Sequence, residues 1–178
     1  MASFLIASAA VSADGSSTND TFEVITGASA VTVNGLAGDD TVTLSASAVT
    51  LGDSLFALGE GNDTFDINTA NSTGFGYVSA TIKGGAGEDS LNIGAAAGDV
   101  SNVFLAAGEG DDTVSADLIA LGGTASAVTI MGGASADTIR VASDDDVIGA
   151  YIGGGKHADT LVYTGGTLSD STLIGGFG

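Results

Sequence analysis

The chain has no cysteine, no proline and no tryptophan, and its only cationic side chains are Lys83, Arg140 and Lys156. Without cysteine there is neither a disulfide framework nor a thiolate metal site. Three cations against 22 acids give a formal charge of −19. Clustered Lys and Arg, which phosphate backbones and anionic bilayers require, are therefore missing, and neither nucleic acid nor an anionic membrane is expected as a partner. No run of about 18 apolar residues is available to span a bilayer, so no membrane insertion is expected. The single histidine, His157, has no Ser, Cys or carboxylate partner at a recognisable spacing and reads as a turn residue. There is no nucleophile elbow, no H-E-x-x-H and no P-loop, so the chain is not expected to be an enzyme.

What is present is glycine, 29 of 178 residues, in a chain that is 44% hydrophobic. Glycine-rich disordered chains are normally rich in proline and poor in apolar residues, so this composition predicts order, in a single domain over residues 1–178. Every Asp-Thr or Asp-Ser step before an apolar residue marks a repeat. The segments are GSSTNDTFE from Gly15, GLAGDDTVT from Gly35, LGEGNDTFD from Leu58, GGAGEDSLN from Gly84, AGEGDDTVS from Ala107, GGASADTIR from Gly132 and GGKHADTLV from Gly154; an eighth starts at Gly175. Their sixth positions are Asp20, Asp40, Asp63, Asp89, Asp112, Asp137 and Asp159, spaced by 20, 23, 26, 23, 25 and 22 residues. Such a period is that of a solenoid.

Two and four residues after each Asp stand apolar side chains, from Phe22 and Val24 to Leu161 and Tyr163. Seven residues before it lies another apolar column: Ala13, Val33, Phe56, Ile82, Leu105, Ile130 and Ile152, with Leu173 before the eighth copy. Alternation of this kind predicts strands with one buried face. Each coil reads as strand, variable loop, strand and glycine turn, and the fold class is all-β: a parallel β-solenoid, β-roll or β-helix-like, of either hand. It has 7–8 coils of 20–26 residues and one Gly/Asp turn column. Loops such as Asn68 to Tyr77 and Asp117 to Thr124 absorb the differences in period. In the second coil, Ala48-Val49-Thr50-Leu51 competes with Ser54-Leu55-Phe56 for the core strand. Proline is absent because nearly every strand residue must donate to a neighbouring coil. Phe4 to Val11 has something of a signal-peptide core but no cationic n-region, and the same residues fit a first strand.

The turn segments resemble the calcium-binding RTX nonapeptide G-G-x-G-x-D-x-U-x. GGAGEDSLN from Gly84 matches at every constrained position, whereas Thr18, Ser135 and His157 replace the fourth-position glycine elsewhere. The resemblance implies calcium held between stacked turns by glycine-turn carbonyls and the sixth-position carboxylate. The implied metal residues are Asp20, Asp40, Asp63, Asp89, Asp112, Asp137 and Asp159, joined by Asp39 and Asp111 and by Gly38, Gly61, Gly87 and Gly110. Calcium suits such sites because it takes six to eight hard oxygen ligands. The motif occurs once per coil, so one column of sites is expected. Stacked at about 4.8 Å, the carboxylates repel one another unless cations intervene. In the competing reading the Asp side chains only bond their own turn backbone, with no metal.

An outward column reads Thr32, Leu55, Thr81, Phe104, Thr129, Tyr151 and Thr172; its large apolar members Leu55, Phe104 and Tyr151 are candidates for self-association. Uncapped solenoid ends predict either a longer chain or end-to-end stacking. RTX resemblance implies type I secretion and an extracellular or cell-surface location. The expected function is a calcium-stabilised structural protein, a surface-layer, surface-filament or adhesin segment. Alternatives are a phage or virus fibre or capsid-decorating protein, located on the virion, and the carboxy-terminal RTX module of a secreted lipase or protease.

Overall fold

The computed structural model describes residues 1–7, 10–25, 29–44, 50–67, 76–94, 98–118 and 124–177. Among them there is no helix, and every strand pairing is parallel between successive coils. Two sheets of eight strands run the length of the molecule. The first holds Ser3–Ile6 and the strands that follow each Asp, from Thr21–Val24 to Thr160–Gly165. The second holds the strands that enter each glycine turn, from Ser12–Asp14 and Thr32–Ala37 to Thr172–Ile174.

The expected register holds. Phe22, Val42, Phe65, Leu91, Val114, Ile139 and Leu161 stand opposite one another along the first sheet, and Val33, Phe56, Ile82, Leu105, Ile130 and Ile152 along the second. All of these except Leu161 are buried. Between the sheets Phe56 meets Phe65 edge-on at 5.1 Å. Ser3–Ile6 extends the first sheet by one rung, with Phe4 stacked on Phe22 at 4.7 Å. Phe4 to Ile6 of the N-terminal apolar run thus lie in a first strand. At the last rung the core opens: Leu161 and Tyr163 are half-buried and Leu173 is 48% exposed.

Two expectations need correction. Where each coil was read as two strands and a loop, a third sheet of six short strands is present, running from Thr50–Gly52 through Gly76–Val78 to Leu168–Ser169. It supplies the buried Leu51, Tyr77, Val100, Ala125 and Val147, and the Tyr77 hydroxyl donates to the Gly94 carbonyl at 3.1 Å. Among the described residues six coils carry all three sides, so the solenoid has about six full turns rather than 7–8. In the second coil Leu55 and Phe56 face Thr32 and Val33, while Thr50–Gly52 joins the third sheet. Ala48 and Val49 lie outside the described residues, as do 68–75 and 119–123 of the variable loops.

Backbone amides bind from coil to coil throughout: Thr64 donates to Asp40, Ser90 to Asp63 and Thr113 to Asp89 at 2.8–2.9 Å. A proline at any such position removes one of these bonds.

Candidate metal centre

Between the second sheet and the first, each chain segment makes the glycine turn. Its fourth-position glycines, Gly38, Gly61, Gly87 and Gly110, have φ between +109° and +132°. A Cβ at Gly61, Gly87 or Gly110 would stand 2.1–2.3 Å from the carbonyl oxygen of its counterpart one coil earlier. Stacking at this edge therefore demands glycine twice over, for the dihedral and for the close approach. Ser135 and His157 adopt the same left-handed backbone, and the His157 Nδ1 accepts the Ser135 amide at 3.1 Å. That is the turn role expected for the lone histidine.

The sixth-position aspartates turn inward. Asp20, Asp40, Asp63, Asp89, Asp112 and Asp137 are only 1–2% exposed. Each accepts a backbone amide through Oδ1, but from the coil before and not from its own turn: Asp20 N–H binds Asp40, Asp40 binds Asp63, Asp63 binds Asp89, Asp89 binds Asp112 and Asp112 binds Asp137, at 2.7–2.9 Å. Asp137 N–H closes the column on Asp159 at 2.9 Å. A ladder between coils thus stands where bonds to the own turn were the alternative, except at Asp20, whose Oδ2 also takes the Ser16 amide of its own turn.

That ladder satisfies half of each carboxylate. The Oδ2 atoms of Asp40, Asp63, Asp89, Asp112, Asp137 and Asp159 are buried and have no hydrogen-bond partner. A buried acceptor left in this condition costs on the order of 1–3 kcal/mol, more if charged. Asp20 is different, because its Oδ2 takes both the amide and the hydroxyl of Ser16 at 2.6 and 2.8 Å, and its Oδ1 takes the Ala2 amide. The Ala2 amide is the main reason its carboxyl is held below the usual range. In the middle of the column the sign reverses. Burial pushes Asp63, Asp112 and Asp137 up to about 6 and Asp89 up to about 7, with neighbouring carboxylates adding to the rise. Asp40 is raised for the same reasons.

The space beside these oxygens is made by the first-position glycine. A Cβ on Gly35, Gly84, Gly132 or Gly154 would stand 2.2–2.3 Å from Oδ2 of Asp40, Asp89, Asp137 or Asp159. At Gly35, Gly84 and Gly132 it would also stand 2.1–2.4 Å from the carbonyl oxygen of Leu58, Ala107 or Gly154 in the next coil. Carboxylate and carbonyl oxygens therefore converge where the side chain is missing. In the coils of Asp63 and Asp112 that position is filled by Leu58 and Ala107, both fully buried.

Asp39 and Asp111 belong to a second, exposed ladder that sequence reasoning did not anticipate. Asp39 N–H donates to Asn19 Oδ1, Asn62 N–H to Asp39, Glu88 N–H to Asn62, and Ala136 N–H to Asp111, at 2.9–3.0 Å. It runs opposite to the buried ladder, since here the later coil donates. The signal was present in the fifth position, where Asn19, Asp39, Asn62 and Asp111 share a δ-oxygen at the same reach.

Among the described residues no three His, Cys, Asp or Glu side chains converge as a metal cluster. A cation at this edge would draw one carboxylate oxygen per coil and take the rest from turn carbonyls, a donor set of hard oxygens that fits calcium and not zinc. The residues that would hold it are the orphaned Oδ2 atoms of the Asp column and the carbonyls of the glycine turns. Bound there, calcium supplies positive charge to a stack of like charges.

The family model for the RTX calcium-binding nonapeptide repeat (4 copies) matches residues 14–48, 96–118 and 123–148. Those stretches contain Asp20, Asp40, Asp112 and Asp137. No curated protein and no solved structure matches the chain. RTX nonapeptides are known calcium-binding motifs and are typical of secreted proteins. Glycine-aspartate turns stacked on one edge of a parallel β-solenoid, together with this match, fit an RTX-like repeat protein.

Proposed function

We propose that the chain is a calcium-stabilised extracellular structural protein, a surface-layer, surface-filament or adhesin segment that acts by assembly and not by catalysis. The observation that carries this reading is the column of buried carboxyls whose Oδ2 atoms have no partner. A column with raised proton affinity and unmet oxygens gives the chain a reason to stay open where calcium is scarce and to close where it is plentiful. Export followed by folding outside the cell fits that behaviour. A rod with flat faces and repeated edges suits a scaffold.

Sedimentation velocity and negative-stain electron microscopy in calcium and in chelator test the reading. Larger species or periodic arrays in calcium, dispersing with EGTA, are expected. Monodisperse monomers under both conditions contradict the assembly role.

A further inference from the structure

Three outward columns of the second sheet are nearly free of acid in a chain that has 22 of them, with Glu60 and Glu109 exposed only at the turn-side ends of its strands. One outward column alternates threonine with Leu55, Phe104 and Tyr151. The next carries Ala57, Lys83, Ala106 and Met131, and the third is glycine from Gly59 to Gly155, preceded by Leu36. Past Asp14 in the first rung, Lys83 is the only charge in these three columns. Outward positions on the first sheet, by contrast, bear Glu23, Asp66, Asp117 and Arg140.

The face is also level. Its glycine column presents bare backbone, and the Tyr151 ring lies so close over Gly153 that a Cβ there would come within 3.0 Å of it. Leu36, Tyr151 and Met131 are nevertheless 54%, 40% and 38% exposed.

We infer that this face is where two copies of the chain pack against each other, sheet on sheet. The inference rests on the reading that the chain acts by assembly, and it names the partner and the surface. At a charge of −19, copies repel one another wherever their acids meet, and this face is the broad surface on which they do not. Seven rungs at about 4.8 Å by five residues at about 3.3 Å give roughly 550 Å² of flat area per copy, at the lower end of the range of specific interfaces, whose standard is ~800 Å² per partner. Lys83 sets the orientation. Parallel copies related by a two-fold place it against its counterpart, whereas antiparallel copies centred on the Phe104 rung set Lys83 opposite Met131 and Leu55 opposite Tyr151. The contact is isologous and closes on itself.

The test is sedimentation velocity of the full chain in calcium, with far-UV circular dichroism on every sample. The wild type is expected to form dimers. Ala106→Glu, which puts a carboxylate at the centre of the face, is expected to weaken association by about tenfold or more. Lys83→Glu replaces a side chain that is already exposed and serves if Ala106→Glu does not fold; it is expected to act in the same direction. Ser115→Glu adds the same charge to the first sheet and is expected to leave association unchanged. A folded wild type that stays monomeric in calcium overturns the inference, as does association that Ala106→Glu and Lys83→Glu leave intact. Calcium dependence of the dichroism spectrum reports separately on the metal, so loss of that dependence with dimers retained overturns the calcium reading alone.

Discussion

At Asp89 two demands meet in one side chain. Oδ1 holds the Asp63 amide, and Oδ2 is buried without a partner beside the α-carbon of Gly84. Asparagine keeps the first and removes the charge from the second. Asp89→Asn is therefore expected to raise the melting temperature in EGTA, where it relieves a desolvated carboxylate, and to lower it in saturating calcium, where it removes a ligand. An effect of about 1–2 kcal/mol in each direction is expected from the cost of an unmet buried acceptor. Thermal melts of both proteins with and without calcium check the inversion, and the same sign under both conditions contradicts it. The position of Asp89 was legible from its spacing alone, because every coil repeats it. Its inward direction was not: a conserved-length turn fixes where an aspartate sits along the chain, but only the neighbouring coil decides which amide it binds.

At the scale of elements, alternation made the long strands readable. The pairs Phe22/Val24 and Leu91/Ile93 repeat with the period of two that a half-buried strand requires. The third sheet escaped notice because Val100–Ser101 and Ala125–Ser126 are two residues long, too short to show any period. Its buried members, Tyr77 and Val147 among them, are held by pairing across coils, which adjacent sequence does not display. The missing proline was the more general signal, and it yields a prediction. Thr113 donates to the Asp89 carbonyl at 2.9 Å from the middle of the first sheet. Thr113→Pro is expected to cost about 3 kcal/mol or more, read as a fall in the chemical-denaturation midpoint. A midpoint within error of the wild type contradicts the dependence on bonds between coils.

For the whole molecule, the −19 charge and the buried column act together. Asp63, Asp89, Asp112 and Asp137 have carboxyls raised to about 6 or 7 in the folded chain, against about 3.9 for an unfolded aspartate. A group whose proton is held more tightly when folded stabilises the fold fully below its unfolded value and loses that contribution as pH rises through its folded one. Metal-free chain is therefore expected to melt higher near pH 4 to 5 than near pH 8, with the decline centred between about pH 4 and 7. A calorimetric pH series in EGTA checks this, and a melting temperature that rises over that interval contradicts it. Calcium is expected to restore the melting temperature above pH 7, since it occupies the oxygens that the protons leave.

The most direct measurement is the thermal melt of the wild-type chain at pH 7.5, followed by far-UV circular dichroism, in excess calcium and in excess EGTA. Ligand that binds only the folded state at a hundred times its dissociation constant adds about 2.7 kcal/mol per site, so several sites raise the transition by many degrees. The account predicts a β-rich spectrum with a high, calcium-dependent transition, and a much lower one or none in EGTA. A β-rich spectrum that melts at the same temperature in both would contradict it.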